Sequence, residues 1–256
     1  MSPPKIFISG DSWGVGEWSP PTEHKIINKK AVIEHKGLEQ YFIEDEFVVF
    51  NSSVGGGSNR DSIRSLENNL EKYFKDGDFI FWIQTDPIRN LRPYSDLTNQ
   101  IKKANGLFAL SNELLVDTYT VLDNLTKKYN TCINLIGGLS SIKTTLAKTF
   151  DNLNVIIESW PELLVKDNPL YSNLDYSNFS EWGADWSLDS INVSTLMNLG
   201  KLPFDMDFTG QVIDELLKLN SYNIVFNDPI FWPDGTHPNR DGHKILYNFI
   251  KEKLNL

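Results

Sequence analysis

Cysteine is nearly absent: the 256-residue chain has one, Cys132. A lone thiol excludes an intrachain disulfide framework and leaves no thiolate cluster for zinc or iron–sulfur. Histidine is scarce as well, with four in the whole chain. No run approaches 18 consecutive apolar residues, so the sequence contains no candidate membrane-spanning helix. The apolar stretch within Met1–Asp11 is too short for a secretory signal. The expectation is a soluble protein, cytoplasmic by default, with export by another route left open. Basic residues are also outnumbered, 24 Lys/Arg against 34 Asp/Glu, for a net charge of -10. Residues 151–241 hold 4 of the basic and 15 of the acidic ones. No basic stripe runs through the chain, which argues against nucleic acid as a partner.

What is present reads as globular. Hydrophobic residues make up 40% of the chain, and mean hydropathy is -0.31. A chain of this length buries a full core without staples or metal. Five short apolar runs read as buried strands: Lys5–Ser9, Glu46–Asn51, Asp78–Thr85, Thr131–Ile136 and Asn154–Glu158. Between them lie helical patterns. One is capped at Ser58 or Asn59 and carries Ile63, Leu66, Leu70 and Phe74 on one face; a long one spans about 99–128 with a break near Gly106. Shorter helices are expected over Ile33–Ile43 and Ser141–Thr149, with further ones over Phe208–Leu219 and Asp241–Leu254, and a loop over 13–31. Continuous apolar strands alternating with helices predict a mostly parallel sheet covered on both faces. The expected organisation is one domain over 1–256 with an irregular, aromatic-rich insertion at about 160–206.

In an open parallel sheet, ligands bind beyond the carboxyl ends of the strands. The polar loops there are Gly10–Gly14, Gly55–Asn59 and Gln84–Arg89, and the turn Asp234–His237 precedes the last helix. A serine hydroxyl becomes a useful nucleophile only when an imidazole takes its proton. That imidazole needs an acceptor on its other nitrogen. Ser12, His237 and Asp234 supply those three residue types. The Ser12 amide and a glycine amide from the 55–57 loop are candidates to face a developing oxyanion. Other readings of the same residues stand beside this one. Ser12 can merely cap a helix, His237 can be an ordinary turn histidine, and the insertion aromatics can simply pack. The Gly55–Gly57 run lacks the Lys-Ser/Thr of a nucleotide loop, and Asp234, His237, Asp241 and His243 have no fixed metal geometry.

Gly10-Asp11-Ser12-Trp13 resembles the first block of the SGNH hydrolase superfamily, the GDSL-type esterases and lipases. Asn51–Ser58 resembles the second block, with Gly56 as the positional match to its oxyanion glycine, and Asp234-Gly235-Thr236-His237-Pro238 resembles the last. The resemblance implies a three-layer α/β/α sandwich on a five-stranded parallel sheet, in a flavodoxin-like SGNH hydrolase fold. It implies a catalytic set of Ser12, His237, Asp234 and Gly56, acting on a small-molecule or glycan ester without cofactor or metal. A carbohydrate O-acetyl ester is the substrate class it suggests. The third block departs from the pattern: the family ends its third strand with an Asn whose amide donates to the oxyanion, and here Asp86 stands near that position. An ionised carboxylate repels an oxyanion, and losing one such donor costs about 3–4 kcal/mol of transition-state stabilisation. Gln84, Asn59, Asn90 and Arg89 are the candidate replacements, and Trp13, Gly57 and Trp232 are candidate substrate contacts. The alternative is a non-catalytic binding or structural protein with a degenerate oxyanion hole, in which Asp86 and Arg89 form an ion pair. Oligomeric state has no signature in the sequence.

Overall fold

The computed structural model describes residues 4–16, 25–27, 30–32, 37–91, 96–138, 144–160, 163, 238 and 240–256. Nearly all of the expected insertion, the helix expected over 208–219, and Trp232, Asp234 and His237 lie outside the described residues.

Five parallel strands form the main sheet: β1 (Lys5–Ser9), β4 (Val48–Asn51), β5 (Phe79–Gln84), β6 (Ile133–Gly137) and β7 (Leu153–Ile157). Their spatial order is β4-β1-β5-β6-β7, so β1 and β5 are central neighbours and the chain winds outward from them in both directions. All five expected strands are present, shifted by no more than two residues at either end. A central parallel strand is buried on both faces, and that is why Ile6-Phe7-Ile8 and Ile80-Phe81-Trp82-Ile83 are apolar throughout and fully buried.

Alternation along the strands sorts these side chains into two layers. Ile6, Ile8, Phe81, Ile83, Ile136 and Ile156 pack under α2 (Leu38–Glu44) and the last helix, α6 (Arg240–Leu254), through Leu38, Phe42, Leu246 and Ile250. Phe7, Ile80, Trp82, Ile133 and Leu135 pack under α3 (Asn59–Tyr73) and α5 (Leu107–Tyr129) through Leu66, Leu70, Leu115 and Leu122. The result is the three-layer α/β/α sandwich.

Helix boundaries follow local chemistry. Ser58 is the N-cap of α3: its hydroxyl accepts from the Asp61 N–H, and the Asp61 carboxylate accepts from the Ser58 N–H, a reciprocal capping box. The long helical stretch splits at Gly106 into α4 (Leu97–Lys103) and α5, and α5 stops at Asn130, whose φ of 48° is a left-handed C-cap. Thr144–Thr149 is a 3-10 helix rather than an α-helix.

The loop expected over 13–31 needs correcting in two places. Residues Ser12–Val15 form a helical turn, α1, and Lys25–Ile27 (β2) pairs antiparallel with Lys30–Val32 (β3). Both elements are three or four residues long, too short for a periodic pattern to register. Among the described residues, no helix is long and apolar enough to cross a membrane.

Candidate active site

The carboxyl ends of β1, β4 and β5 converge on α1. The β4 segment continues its ladder past Asn51, with Ser52 N–H donating to Ile8 O at 2.8 Å and Val54 N–H to Gly10 O at 3.0 Å. The two loops therefore run side by side. Asn51 fastens them: its Nδ2 donates to the Gly14 carbonyl and to Glu39, and its Oδ1 accepts from the Ser53 N–H. Gly14 leaves room for Ser53, since a Cβ would stand 2.2 Å from Ser53 Oγ and 2.9 Å from Ser53 Cβ and force that side chain to shift.

Ser12 is the first residue of α1 and is 8% exposed. Asp11 precedes it as N-cap, its Oδ1 accepting from the Trp13 N–H at 3.0 Å. The second oxygen, Oδ2, takes the Thr85 hydroxyl at 2.6 Å and the Arg89 guanidinium Nη1 at 3.1 Å. The Asp11 side chain is fully buried and that of Arg89 is 10% exposed. A buried carboxylate needs both charge compensation and hydrogen bonds, and here it has one ion pair and two further donors.

The candidate oxyanion donors meet different fates. Asn59 is fully buried, donates from Nδ2 to the Thr85 carbonyl and accepts the Thr85 N–H at Oδ1, so its amide completes the end of β5. Asn90 accepts from the Arg60 N–H and donates to Thr118. Gln84 sits at an even position of β5 and so points into the α3/α5 layer, where its Oε1 accepts from the Tyr119 hydroxyl. Burial there pushes the Tyr119 hydroxyl pKa well up, so it stays a donor. Asp86 is buried and accepts the Ile88 N–H in a turn. The ion pair envisaged between Asp86 and Arg89 does not form; Arg89 reaches Asp11 instead, while its backbone N–H closes the turn on the Asp86 carbonyl. Arg89 also has one buried donor, Nε, with no partner among the described residues.

Of the glycines, Gly56 stands exposed at a loop apex with φ of 67° and open space where a Cβ would be. The Gly57 N–H is committed to the Val54 carbonyl at 2.9 Å. Trp13 is not a wall of an open cleft: it is 1% exposed and packs edge-on against Trp160, with ring centroids 5.1 Å apart. Trp160 in turn meets the fully buried His243 at 4.9 Å. Asp11 and Thr85 carry interactions here that the sequence does not single out. An Asp before a helical turn is a recognisable cap, but nothing local announces that Thr85 and Arg89, more than 70 residues away, will converge on it.

No family model matches the chain, and no curated protein matches it. Solved structures do. The psychrotrophic esterase EstA from Pseudoalteromonas sp. is 16% identical with a TM-score of 0.41, covering 98% of this chain and 99% of its own. LAE5, described as an alpha/beta hydrolase enzyme from the metagenome of Lake Arreo, is 14% identical with a TM-score of 0.39 over 98% and 95%. The acetylxylan esterase Axe2 from Geobacillus stearothermophilus is 14% identical with a TM-score of 0.34 over 99% and 94%.

The expected membership in the SGNH, GDSL-type superfamily is corrected by these findings. No family model matches the chain, so the resemblance of its loop motifs shows no family. The fold expectation is corrected to the same extent: the SGNH name attached to a flavodoxin-like fold is not shown, and what stands is the three-layer sandwich on a five-stranded parallel sheet. The physical reason is that such a sheet is shared by many unrelated families, so short loop motifs on it do not select one.

Proposed function

We propose that the protein is a serine ester hydrolase with Ser12 as nucleophile. The observation that carries the reading is the seat of Ser12: the first residue of α1, beyond the carboxyl end of central strand β1, next to a capping carboxylate held by two buried partners. Ser12 Oγ attacks the ester carbonyl as His237 removes its proton, and Asp234 orients the imidazole. His237 returns the proton to the leaving alcohol, and water then cleaves the acyl-enzyme with the same base. The Ser12 and Gly56 amides are the proposed oxyanion donors. The substrate class proposed is a small ester such as a carbohydrate O-acetyl group. The acetylxylan esterase among the structures named above is consistent with this choice and does not select it.

The test is exposure of the full chain to a fluorophosphonate, followed by intact mass and peptide mapping. One adduct per chain on Ser12, abolished in Ser12→Ala, is the expected result. A panel of acetylated sugars and simple acyl esters then addresses the substrate. The commitment of the Asn59 and Asn90 side chains to structural bonds favours the rival non-catalytic binding reading. An unlabelled wild type, under conditions that label a known serine esterase, decides for that rival.

A further inference from the structure

We propose that Arg89 is a positioning residue for Ser12, acting through Asp11; the inference rests on Ser12 being the nucleophile. Three observations carry it. First, Asp11 is the only residue between Gly10 and Ser12, and its carboxylate caps α1 by accepting from the Trp13 N–H. Whatever fixes that carboxylate fixes the turn that presents Ser12. Second, the two side chains that fix its other oxygen both come from the end of β5: Thr85 one residue past the strand and Arg89 in the following 3-10 turn. Asn59 anchors Thr85 in turn by bonding both its N–H and its carbonyl. The chain of contacts runs from α3 through β5 to the start of α1 without a solvent-exposed link.

Third, Arg89 keeps a buried Nε–H without a partner among the described residues. Most buried polar side-chain atoms have a partner, so an orphan donor calls for a reason. Reaching Asp11 Oδ2 with Nη1 takes precedence over satisfying Nε. Orienting a nucleophile matters this much because a displacement of about 1 Å can cost on the order of 100-fold in rate.

The experiment measures fluorophosphonate labelling of Ser12 and p-nitrophenyl acetate turnover in the full chain, wild type against R89Q, R89K and T85V. Near-UV circular dichroism and thermal melting establish that each variant is folded. R89Q is expected to label about 100-fold more slowly, with the loss in turnover falling on kcat and KM nearly unchanged. R89K retains the charge but not the planar fork, and recovers about tenfold of that loss. A folded R89Q that labels at the wild-type rate overturns the proposal, as does a loss borne by KM alone. If R89Q does not fold, T85V decides: labelling slowed about tenfold supports the proposal, and an unchanged rate overturns it. Failure of the underlying reading looks different, because then the wild type itself takes no adduct on Ser12, and the positioning role falls with it.

Discussion

Replacing Asn59 by alanine tests how the end of β5 is held. The Asn59 amide makes two hydrogen bonds to one residue, accepting the Thr85 N–H at 2.9 Å and donating to the Thr85 carbonyl at 3.0 Å. Asn59 is fully buried and Thr85 is 1% exposed, so bulk water reaches neither bond in the wild type. Each buried backbone group left unpaired costs about 1–3 kcal/mol. Two such groups give a destabilisation of about 2–6 kcal/mol, a large share of a typical 5–15 kcal/mol total. For a chain of this size each kcal/mol lowers Tm by roughly 2–4 °C. Asn59→Asp refines the test, since a carboxylate still accepts the Thr85 N–H but faces the carbonyl with oxygen in place of a donor. It is expected to be no more stable than the alanine variant, because burial also penalises its charge. The assay is equilibrium urea unfolding with the midpoint and slope compared to wild type. An Asn59→Ala protein within about 0.5 kcal/mol of wild type, the ordinary range for a surface substitution, refutes the account.

Two further outcomes are expected. Gly14→Ala places a Cβ 2.2 Å from Ser53 Oγ and is expected to cost about 1–3 kcal/mol by overpacking, with slower labelling of Ser12 two residues away. Adding Ser53→Gly removes both clashing Ser53 atoms, so the double variant should regain stability in urea titrations, and no regain would refute the steric explanation. The second concerns acid. Asp45 accepts hydrogen bonds from Lys251 and Tyr247, and these hold its carboxyl below the ordinary 3.8. A group whose value is depressed in the folded state stabilises at pH above its unfolded value, and that contribution is lost as pH falls through the folded one. Wild type should therefore exceed Asp45→Asn in Tm at neutral pH, with the gap closing below about pH 4 as the carboxyl protonates. The pair is partly exposed, so salt near 1 M should narrow the gap too. A gap independent of pH would sink this assignment.

The strands were legible because burial on both faces leaves an unbroken apolar signature, as in Ile6–Ile8 and Ile80–Ile83. The α3 cap was legible because the Ser58–Asp61 exchange is complete within four residues. α1 and the paired strands β2 and β3 escaped notice because none of them completes two periods of the pattern that could reveal it. The site divides along the same line. Ser12 could be singled out from its loop, but the uses of its neighbours could not. Asn59 and Gln84 are equally credible as donors to a ligand when read along the chain. Strand alternation sends Gln84 into the α5 layer, and the start of α3 spends Asn59 on Thr85.

The sequence by itself determined the layered α/β architecture and the strand ends at which polar loops gather, because burial and capping are written in neighbouring residues. Only the tertiary structure decided that Arg89 compensates Asp11 rather than Asp86, and that Thr85 shares that carboxylate. Those partners are 74 and 78 residues apart along the chain. They meet because β1 and β5 lie side by side in the sheet, a pairing that no local pattern specifies.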